Sequence, residues 1–311
     1  MISTVTLNAA IDKTYYVPQL QIGRVHRVTR QIADPGGKGV NVAKVIRLLG
    51  GDTTATGFIA GNNGRFIEEE LRRRGVATAF VKADGESRLC LNIMDETTGE
   101  STEVLELGAD VGDAHVAELK AVVRGLAQRS SIVAMSGSLP PGVPTDLYAE
   151  LIGIVRAEGA RAFLDTSGKA FGTALASRPY FVKPNEQELA QWLGREDRLS
   201  DDEVIDAAWQ LADTGIEQVC VTLGERGAVA ILQGSAYRVT PPKIQAVNAV
   251  GCGDSFVAGL AFAEERCLPP EEKLRIAAAA SAANAMSDRA GHIEQEVYEA
   301  YLEQVEVRPI L

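Results

Sequence analysis

Residues 132–165 decide the fold of this chain, and they read IVAMSGSLPPGVPTDLYAELIGIVRAEGARAFLD. The stretch opens with one apolar run, 132–135, and ends with another, 162–164, and each has the length and composition of a buried strand. Between them, the apolar residues of 147–155 recur at the spacing of one helix face. A strand, a helix and a strand in this order predict two parallel strands joined by a crossover helix.

The same alternation continues on both sides of this unit. Short apolar runs predict further strands at 5–7, 180–182, 219–223 and 229–232. Helical spacing predicts helices at 42–49, 66–74, 189–193 and, in the C-terminal third, at about 254–265, 271–287 and 294–305. The chain is therefore predicted to be an α/β protein whose mostly parallel central sheet is covered by helices on both faces. In such sheets, ligands bind beyond the carboxyl ends of the strands.

One segment departs from this alternation. Apolar and polar residues alternate over 89–94, a polar turn follows at 96–100, and a second apolar run covers 104–107, which together predict a β-hairpin. An isolated hairpin is only marginally stable, so it needs partner strands, which the nearby N-terminal residues can supply. We expect a small β-sheet lid, formed by about 12–32 and 88–107, within a single domain of residues 1–311.

Composition excludes several functional classes. A net charge of −11 argues against a general nucleic-acid binder, which needs a basic surface. The first twelve residues lack the features of a signal peptide, and the uncharged stretch 276–287 is too short to span a bilayer, so we expect a cytoplasmic protein. The four cysteines form no CxxC pair, and the three histidines show no zinc spacing.

Five motifs follow predicted strands or begin predicted helices. They are PGGKGVN (35–41), SGSLPPG (136–142), KPNEQE (183–188), TLGERG (222–227) and VGCGDS (250–255). Alone, most of them have a structural interpretation: a glycine turn that caps a helix, a capping box at 185–188, a hairpin turn at 222–227 and an N-cap aspartate. Their common position at the ligand-binding end of an α/β sheet favours a shared site.

Two of the motifs suit the binding of an anion. In 35–41, glycines let the backbone approach a ligand, the following helix offers free N–H groups, and Lys38 adds a full positive charge. The Walker A pattern GxxxxGK[ST] is absent. In 250–255, Gly251 and Gly253 free the backbone to surround an anion, and the helix dipole favours the ionised form of Asp254.

In order and spacing, these motifs resemble those of the ribokinase-like sugar kinases, the phosphofructokinase B family of carbohydrate kinases. The resemblance covers essentially the whole chain. The segments TLNAAID (6–12) and ESRLCLN (86–92) are similar to the 1-phosphofructokinase and tagatose-6-phosphate kinase branch. Two positions depart from the usual motifs: Ala9 stands in place of a proline and Cys252 in place of an alanine. The resemblance implies a three-layer α/β/α ribokinase-like fold.

The resemblance also implies a role for each matching residue. Asp254 is expected to be the catalytic base, with an anion hole formed by Gly251, Cys252 and Gly253. The sugar phosphate is expected to be bound by Asp12, Gly36, Gly37, Lys38, Asn41, Arg88, Ser136 and Ser138, with Arg24 or Arg27 also within reach, and its phosphate by Arg88 together with Lys38. ATP is expected at Lys183, Asn185, Glu188, Thr222, Gly224, Gly227 and, near the adenine, Asn284, with Mg²⁺ held through water by Asn185 and Glu188.

The implied activity is ATP-dependent phosphorylation of a ketohexose monophosphate to a 1,6-bisphosphate, with ATP and Mg²⁺ as cofactors. The favoured reaction is that of 1-phosphofructokinase, from fructose 1-phosphate to fructose 1,6-bisphosphate. The alternatives are tagatose-6-phosphate kinase and, less favoured, 6-phosphofructokinase or a non-catalytic sugar-phosphate sensor. We expect no nucleic-acid or membrane partner, and the exposed edge of the lid predicts a homodimer through it.

Overall fold

The structure is a computed structural model that describes residues 1–310. The strands are β1 (Ile2–Thr6), β2 (Ala10–Val17), β3 (Arg30–Gly36), β4 (Thr53–Ala60), β5 (Ala77–Thr78), β6 (Val81–Ala83), β7 (Arg88–Asp95), β8 (Ser101–Leu105), β9 (Ile132–Ser136), β10 (Arg161–Asp165), β11 (Phe181–Val182), β12 (Gln218–Thr222), β13 (Ala228–Leu232), β14 (Ser235–Thr240) and β15 (Glu306–Ile310). The helices are α1 (Lys38–Leu48), α2 (Gly61–Arg73), α3 (Asp113–Ala127), α4 (Leu147–Ala157), α5 (Gly168–Leu175), α6 (Glu186–Trp192), α7 (Asp201–Asp213), α8 (Cys252–Glu265), α9 (Pro270–Ala285) and α10 (Gln295–Leu302).

The larger sheet has the strand order β15-β14-β13-β12-β11-β10-β9-β1-β4-β5, and β6 also pairs with β4. From β4 through β1, β9, β10 and β11 to β12, neighbouring strands are parallel, as the alternation of strands and helices predicts. At one edge, β13, β14 and β15 continue the sheet as antiparallel strands. The carboxyl ends of the parallel strands therefore meet along one side of the sheet.

Helices cover both faces of this sheet, which confirms the predicted three-layer fold. In β9, Ile132 and Ala134 belong to an apolar core shared with α1, α8, α9 and α10. The alternate residues Val133 and Met135 belong to a second core shared with α3, α4, α5 and α7. Because successive side chains of a strand point to opposite faces, the apolar run 132–135 serves both cores. Within residues 1–310, no helix has the length and apolar character needed to cross a membrane.

A smaller sheet stands apart from the larger one, with the strand order β3-β2-β7-β8. Its two central strands, β2 and β7, are parallel, with Ala10 opposite Arg88 and Val17 opposite Asp95. Both outer strands pair antiparallel, β8 with β7 in the predicted hairpin and β3 with β2. Within the predicted lid segment 12–32, residues 25–29 form no strand. The function of this sheet as a lid stays a prediction.

Candidate active site

The first turns of α1 and α8 meet at the predicted catalytic carboxylate. Asn41 donates a hydrogen bond from Nδ2 to Oδ2 of Asp254 at 2.8 Å, and only 5% of Asp254 is exposed. Gly251, the N-cap of α8, has a φ of 83° and packs so closely that a Cβ would lie 2.8 Å from the Gly291 nitrogen. A side chain there would be both strained and blocked. The geometry therefore holds the carboxylate at the start of a helix beside a glycine-rich turn.

The surroundings of Asp254 suit a base. Burial raises the pKa of Asp254 to about 6, although the nearby Lys38 ammonium acts in the opposite direction. The carboxyl group is thus ionised at neutral pH while remaining more basic than an exposed aspartate. A base with a pKa near the working pH is the more effective proton acceptor.

A buried carboxylate outside the five sequence motifs, Asp165, pairs with the neighbouring cations. Asp165 ends β10, is 1% exposed, and accepts from Lys38 Nζ at 3.3 Å and from Lys183 Nζ at 3.4 Å through Oδ1. Burial alone would raise the pKa of Asp165, but Lys183 and Lys38 together hold it below its usual range. Its Oδ2 is buried without a hydrogen-bond partner. In the sequence, the feature that indicates Asp165 is its position directly after the predicted strand 162–164, at the carboxyl ends of the parallel strands.

Lys38 and Arg88 have different partners in this structure, and their predicted clamp on one phosphate stays a prediction. Lys38 lies beside Asp165, with Glu188 Oε1 4.0 Å from its Nζ. Arg88 instead donates from Nε to the Asn8 carbonyl at 3.2 Å. The buried carboxylate of Asp165 attracts the flexible ammonium of Lys38. The site therefore has two cationic ends: Lys38 and Lys183 pair with Asp165, and Arg88 donates to the Asn8 carbonyl.

Asp12 lies close enough to Asp254 and Arg88 for both charges to act on its pKa. A Cβ on Gly36 would be 2.2 Å from Cγ of Asp12, so only glycine leaves room for this carboxylate. Burial raises the pKa of Asp12 to about 6, while the Lys44 ammonium lowers it and Asp254 raises it further. Within residues 1–310, the Asp12 side chain makes no hydrogen bond, which leaves both oxygens available to sugar hydroxyls.

The end near Arg88 also contains Ser138. Asn8 donates from Nδ2 to Ser138 Oγ at 3.3 Å, while its own carbonyl accepts from Arg88. Arg88 is half-buried and Ser138 is exposed. These groups form a set of polar donors that can reach a phosphate.

Three of the predicted sugar-site residues do not join this set. Arg24 and Arg27 are exposed in the connection between β2 and β3, at the end of β2 remote from Asp12. The five residue steps from Asp12 to Val17 span ~16 Å at ~3.3 Å per residue, so within one chain the strand carries both arginines away from Asp12. Ser136 is completely buried at the end of β9, and its Oγ has no hydrogen-bond partner.

The nucleotide motifs lie side by side. The Thr222 N–H donates to the Pro184 carbonyl at 3.1 Å, and Asn185 forms a β-bridge with Thr222. The capping box at 185–188 is also formed: Asn185 Oδ1 accepts from the Glu188 N–H at 2.8 Å, and Glu188 Oε2 accepts from the Asn185 N–H at 2.9 Å. Gly224 has a φ of 63° with open space around it. The loops 183–188 and 222–227 thus form one continuous rim.

Asn284, which the resemblance assigns to the adenine, makes hydrogen bonds to backbone groups. It is completely buried at the end of α9. Its Nδ2 donates to the Val250 carbonyl at 2.8 Å, and its Oδ1 accepts from the N–H groups of Gly291 at 2.7 Å and His292 at 3.2 Å. The side chain therefore joins the loop before α8 to the loop after α9, behind the anion hole.

The carboxylates of this cleft do not form a metal cage by themselves. Over residues 1–310, no three His, Cys, Asp or Glu side chains are grouped to hold a metal ion. A divalent cation would therefore need oxygen ligands from the substrates or from water, as Mg²⁺ usually does.

The match to known proteins covers nearly the whole chain. The sequence profile of the pfkB family carbohydrate kinases matches residues 5–295. The chain belongs to the pfkB family. This pfkB chain is 37% identical, over 309 residues and 99% of both proteins, to a tagatose-6-phosphate kinase of Staphylococcus epidermidis. As a pfkB carbohydrate kinase it is an ATP-dependent sugar phosphotransferase.

Solved structures of related kinases have the same fold as this pfkB chain. Phosphofructokinase-2 of Escherichia coli in complex with potassium superposes with a TM-score of 0.92 and 30% identity, covering 97% of this chain and 98% of the other. A Thermotoga maritima protein described as a possible 1-phosphofructokinase has a TM-score of 0.87 and 25% identity, with complete coverage of both chains.

Proposed function

We propose that this pfkB kinase transfers the γ-phosphoryl group of ATP to a ketohexose monophosphate and forms a ketohexose 1,6-bisphosphate. The observation that carries the proposal is the arrangement of charge along the cleft. Lys38 and Lys183 gather at Asp165 and act on Asp254, whereas Arg88 donates to the Asn8 carbonyl and acts on Asp12. An acceptor that already carries a phosphate fits such a cleft, because each end can bind one anion.

Each residue has a defined task in this mechanism. Asp12 accepts hydrogen bonds from sugar hydroxyls, and Asp254 takes the proton of the attacking hydroxyl. The backbone N–H groups of Gly251 and Gly253 donate to the oxygens of the transferring phosphoryl group and stabilise its charge, whereas the Cys252 N–H donates to the Ala249 carbonyl at 3.3 Å. Phosphoryl transfer depends chiefly on positioning and charge neutralisation, so fixed donors of this kind account for much of the acceleration.

The residues at the ATP end fit Mg²⁺. Hard divalent cations prefer carboxylate oxygens, and Asp165 offers a buried Oδ2 that has no hydrogen-bond partner. Asp165 and Glu188 would hold the cation, with Asn185 acting through water. When bound, Mg²⁺ neutralises charge on the phosphate oxygens of ATP.

Two ketose phosphates compete as the physiological substrate. The sequence motifs favour fructose 1-phosphate, and the Thermotoga maritima neighbour supports that substrate. The Staphylococcus epidermidis relative, more similar at 37% identity, is named for tagatose 6-phosphate. We place tagatose 6-phosphate first and fructose 1-phosphate second, because the relative named for tagatose 6-phosphate has the higher identity. Both reactions give a 1,6-bisphosphate.

A coupled assay of ADP release tests this assignment. The panel contains tagatose 6-phosphate, fructose 1-phosphate, fructose 6-phosphate and the unphosphorylated ketoses. We expect kcat/KM for one of the first two to exceed that for the free sugars by about 100-fold or more, since one phosphate contact of a few kcal/mol is lost with them. A preference for an unphosphorylated ketose would overturn the proposal.

We also propose that the kinase forms a homodimer through the smaller sheet. β8 is an edge strand, and apolar side chains on both of its faces are exposed: Val104 is 50% and Leu105 is 56% accessible, and Leu107 beyond it is 80% accessible. An unpaired apolar edge invites association with another chain. The tetrameric form described for Escherichia coli phosphofructokinase-2 supports association within this family.

A further inference from the structure

A cavity of about 500 Å³ lies where the parallel strands of the larger sheet begin, at the ends opposite the candidate active site. It opens between the connections that lead into β10, β11 and β12. The side chains that line it include Arg156, Arg161, Arg178, Tyr180 and Glu217. In a protein of net charge −11, a cavity lined by three arginines and one glutamate is a local reversal of sign.

Arg178 is the unusual residue of this cavity. The helix that precedes each of the three connections is followed by a residue with positive φ: Gly159 at 81°, Arg178 at 51° and Gly215 at 95°. Glycine is the ordinary residue in this conformation, and an arginine rarely adopts it. Gly215 leaves room for the stem of Arg178, since a Cβ on Gly215 would lie 3.2 Å from Arg178 Cδ. The arginine therefore stands where the backbone favours glycine, with a neighbour that accommodates it.

The positive charge of the cavity is only partly neutralised. Arg156 donates at 2.8 Å to the carbonyl of Ser177, which lies just after α5. Arg161 donates to Glu264, but that carboxylate already pairs with the buried Lys273. Within residues 1–310, the Arg178 guanidinium has no hydrogen-bond acceptor. Arg161 and Arg178 thus bring charge and free N–H donors that no protein carboxylate fully satisfies.

We propose that this cavity is a second anion site, which binds a small phosphorylated compound through the guanidinium groups of Arg178 and Arg161. Guanidinium groups donate paired hydrogen bonds to phosphate oxygens, and the cavity is large enough for one or two phosphoryl groups with a small organic part. This site is separate from the sugar and ATP ends of the cleft, which lie at the carboxyl ends of the parallel strands.

The same strands connect the two sites. Arg161 begins β10 in the cavity, and Asp165 ends β10 beside Lys38. Tyr180 lines the cavity immediately before β11, and Lys183, directly after β11, pairs with the same Asp165. An anion in the cavity therefore contacts the beginnings of the two strands whose ends carry the buried ion pair of the active site.

Hydrogen–deuterium exchange measured by mass spectrometry tests the proposal on the full chain, with sodium pyrophosphate as the probe. We expect pyrophosphate to slow exchange at 159–162 and 177–180, which report the cavity independently of any binding in the active site. The variant Arg178→Gly removes the guanidinium while giving the backbone its preferred residue, so it should fold at least as well. The concentration that gives half-maximal protection should rise by about tenfold or more, the effect of losing a charge-assisted hydrogen bond.

Arg73→Gln is the matched control, because it removes one positive charge from the exposed face of α2. This control should keep the wild-type response. Arg178→Gly should also keep kcat/KM within about twofold in the absence of pyrophosphate, since Arg178 has no part in the catalytic cleft. The proposal fails if pyrophosphate gives no protection at 159–162 and 177–180 in the wild type, or equal protection in Arg178→Gly.

Discussion

At the scale of single residues, the environment of Asp254 leads to the first prediction. Asp254→Asn keeps the shape and the oxygen that accepts from Asn41 but cannot accept a proton. We expect kcat to fall by about 10²–10⁴-fold, the usual effect of losing a general base. Steady-state kinetics measure the loss, and the circular dichroism spectrum should be unchanged. A variant with near-normal kcat would remove Asp254 from its assigned role.

The raised pKa of about 6 adds a dependence on pH to this prediction. Wild-type kcat should decline as pH falls through about 6, because the base becomes protonated. The stability of the folded protein changes with pH in the opposite direction, because the folded protein holds the Asp254 proton more tightly than the unfolded chain does. The contribution of this proton to stability is present below pH ~4 and is lost as pH rises through ~6. The Tm of Asp254→Asn relative to wild type should therefore increase between pH 5 and pH 7.

The separation of Arg88 from Lys38 yields the second prediction. Arg88→Ala leaves the substrate phosphate without its partner, which should cost about 2–5 kcal/mol in kcat/KM for the phosphorylated ketose. The KM for ATP should change little. Lys38→Ala should instead affect KM for ATP more than kcat/KM for the phosphorylated ketose, because Lys38 contacts Asp165 and lies near Glu188. If both variants affect the ketose phosphate alone, the two cations form a single clamp after all.

Asn284 leads to the third prediction, on positioning. Asn284→Ala leaves the Val250 carbonyl and the Gly291 N–H without partners, at a stability cost of about 1–3 kcal/mol for each buried group. Since this side chain supports the loop before α8, kcat should fall while KM for the ketose phosphate is retained. Increased KM for ATP with unchanged kcat would instead support the adenine contact implied by the family resemblance.

At the scale of elements, the capping box of α6 leads to the fourth prediction. Glu188→Gln can still accept from the Asn185 N–H, so Tm should change little. The variant loses a carboxylate near Lys38, so the Mg²⁺ concentration for half-maximal activity should rise severalfold. Titration of activity with MgCl₂ at fixed ATP measures this effect. A lower Tm with an unchanged Mg²⁺ response would mean that Glu188 only caps the helix.

The elements also show what the sequence can and cannot predict. Periodicity predicts α1, α8 and the strands of the central sheet, because burial of one or both faces leaves a local pattern. The direction of Lys38 is beyond prediction of this kind, since it depends on Asp165, which the fold brings from a distant strand. The role of Asn284 is hard to predict for a related reason: an amide suits a ligand and a backbone group equally well.

At the scale of the whole molecule, the exposed edge of β8 leads to the fifth prediction. Leu105→Lys places a charge in the proposed dimer contact and should shift the mass measured by light scattering from dimer to monomer at micromolar concentration. Leu48→Lys is the matched control, because Leu48 is 40% exposed on α1, away from this sheet. A wild-type chain that is already monomeric, or a Leu105→Lys dimer of normal affinity, would contradict the proposal.

The parallel pairing of β2 with β7 has a consequence for how the chain acquires its structure. These strands are neighbours in space, yet α1, β4 and α2 separate them in the chain. Bringing such distant segments together carries a loop-closure cost, and that cost falls once the intervening units are compact. The smaller sheet should therefore gain its protection after β1 and β4 during refolding, and pulse-labelled hydrogen exchange can time the two steps. During synthesis, β2 has to wait, without its central partner, until Asp95 has left the ribosome.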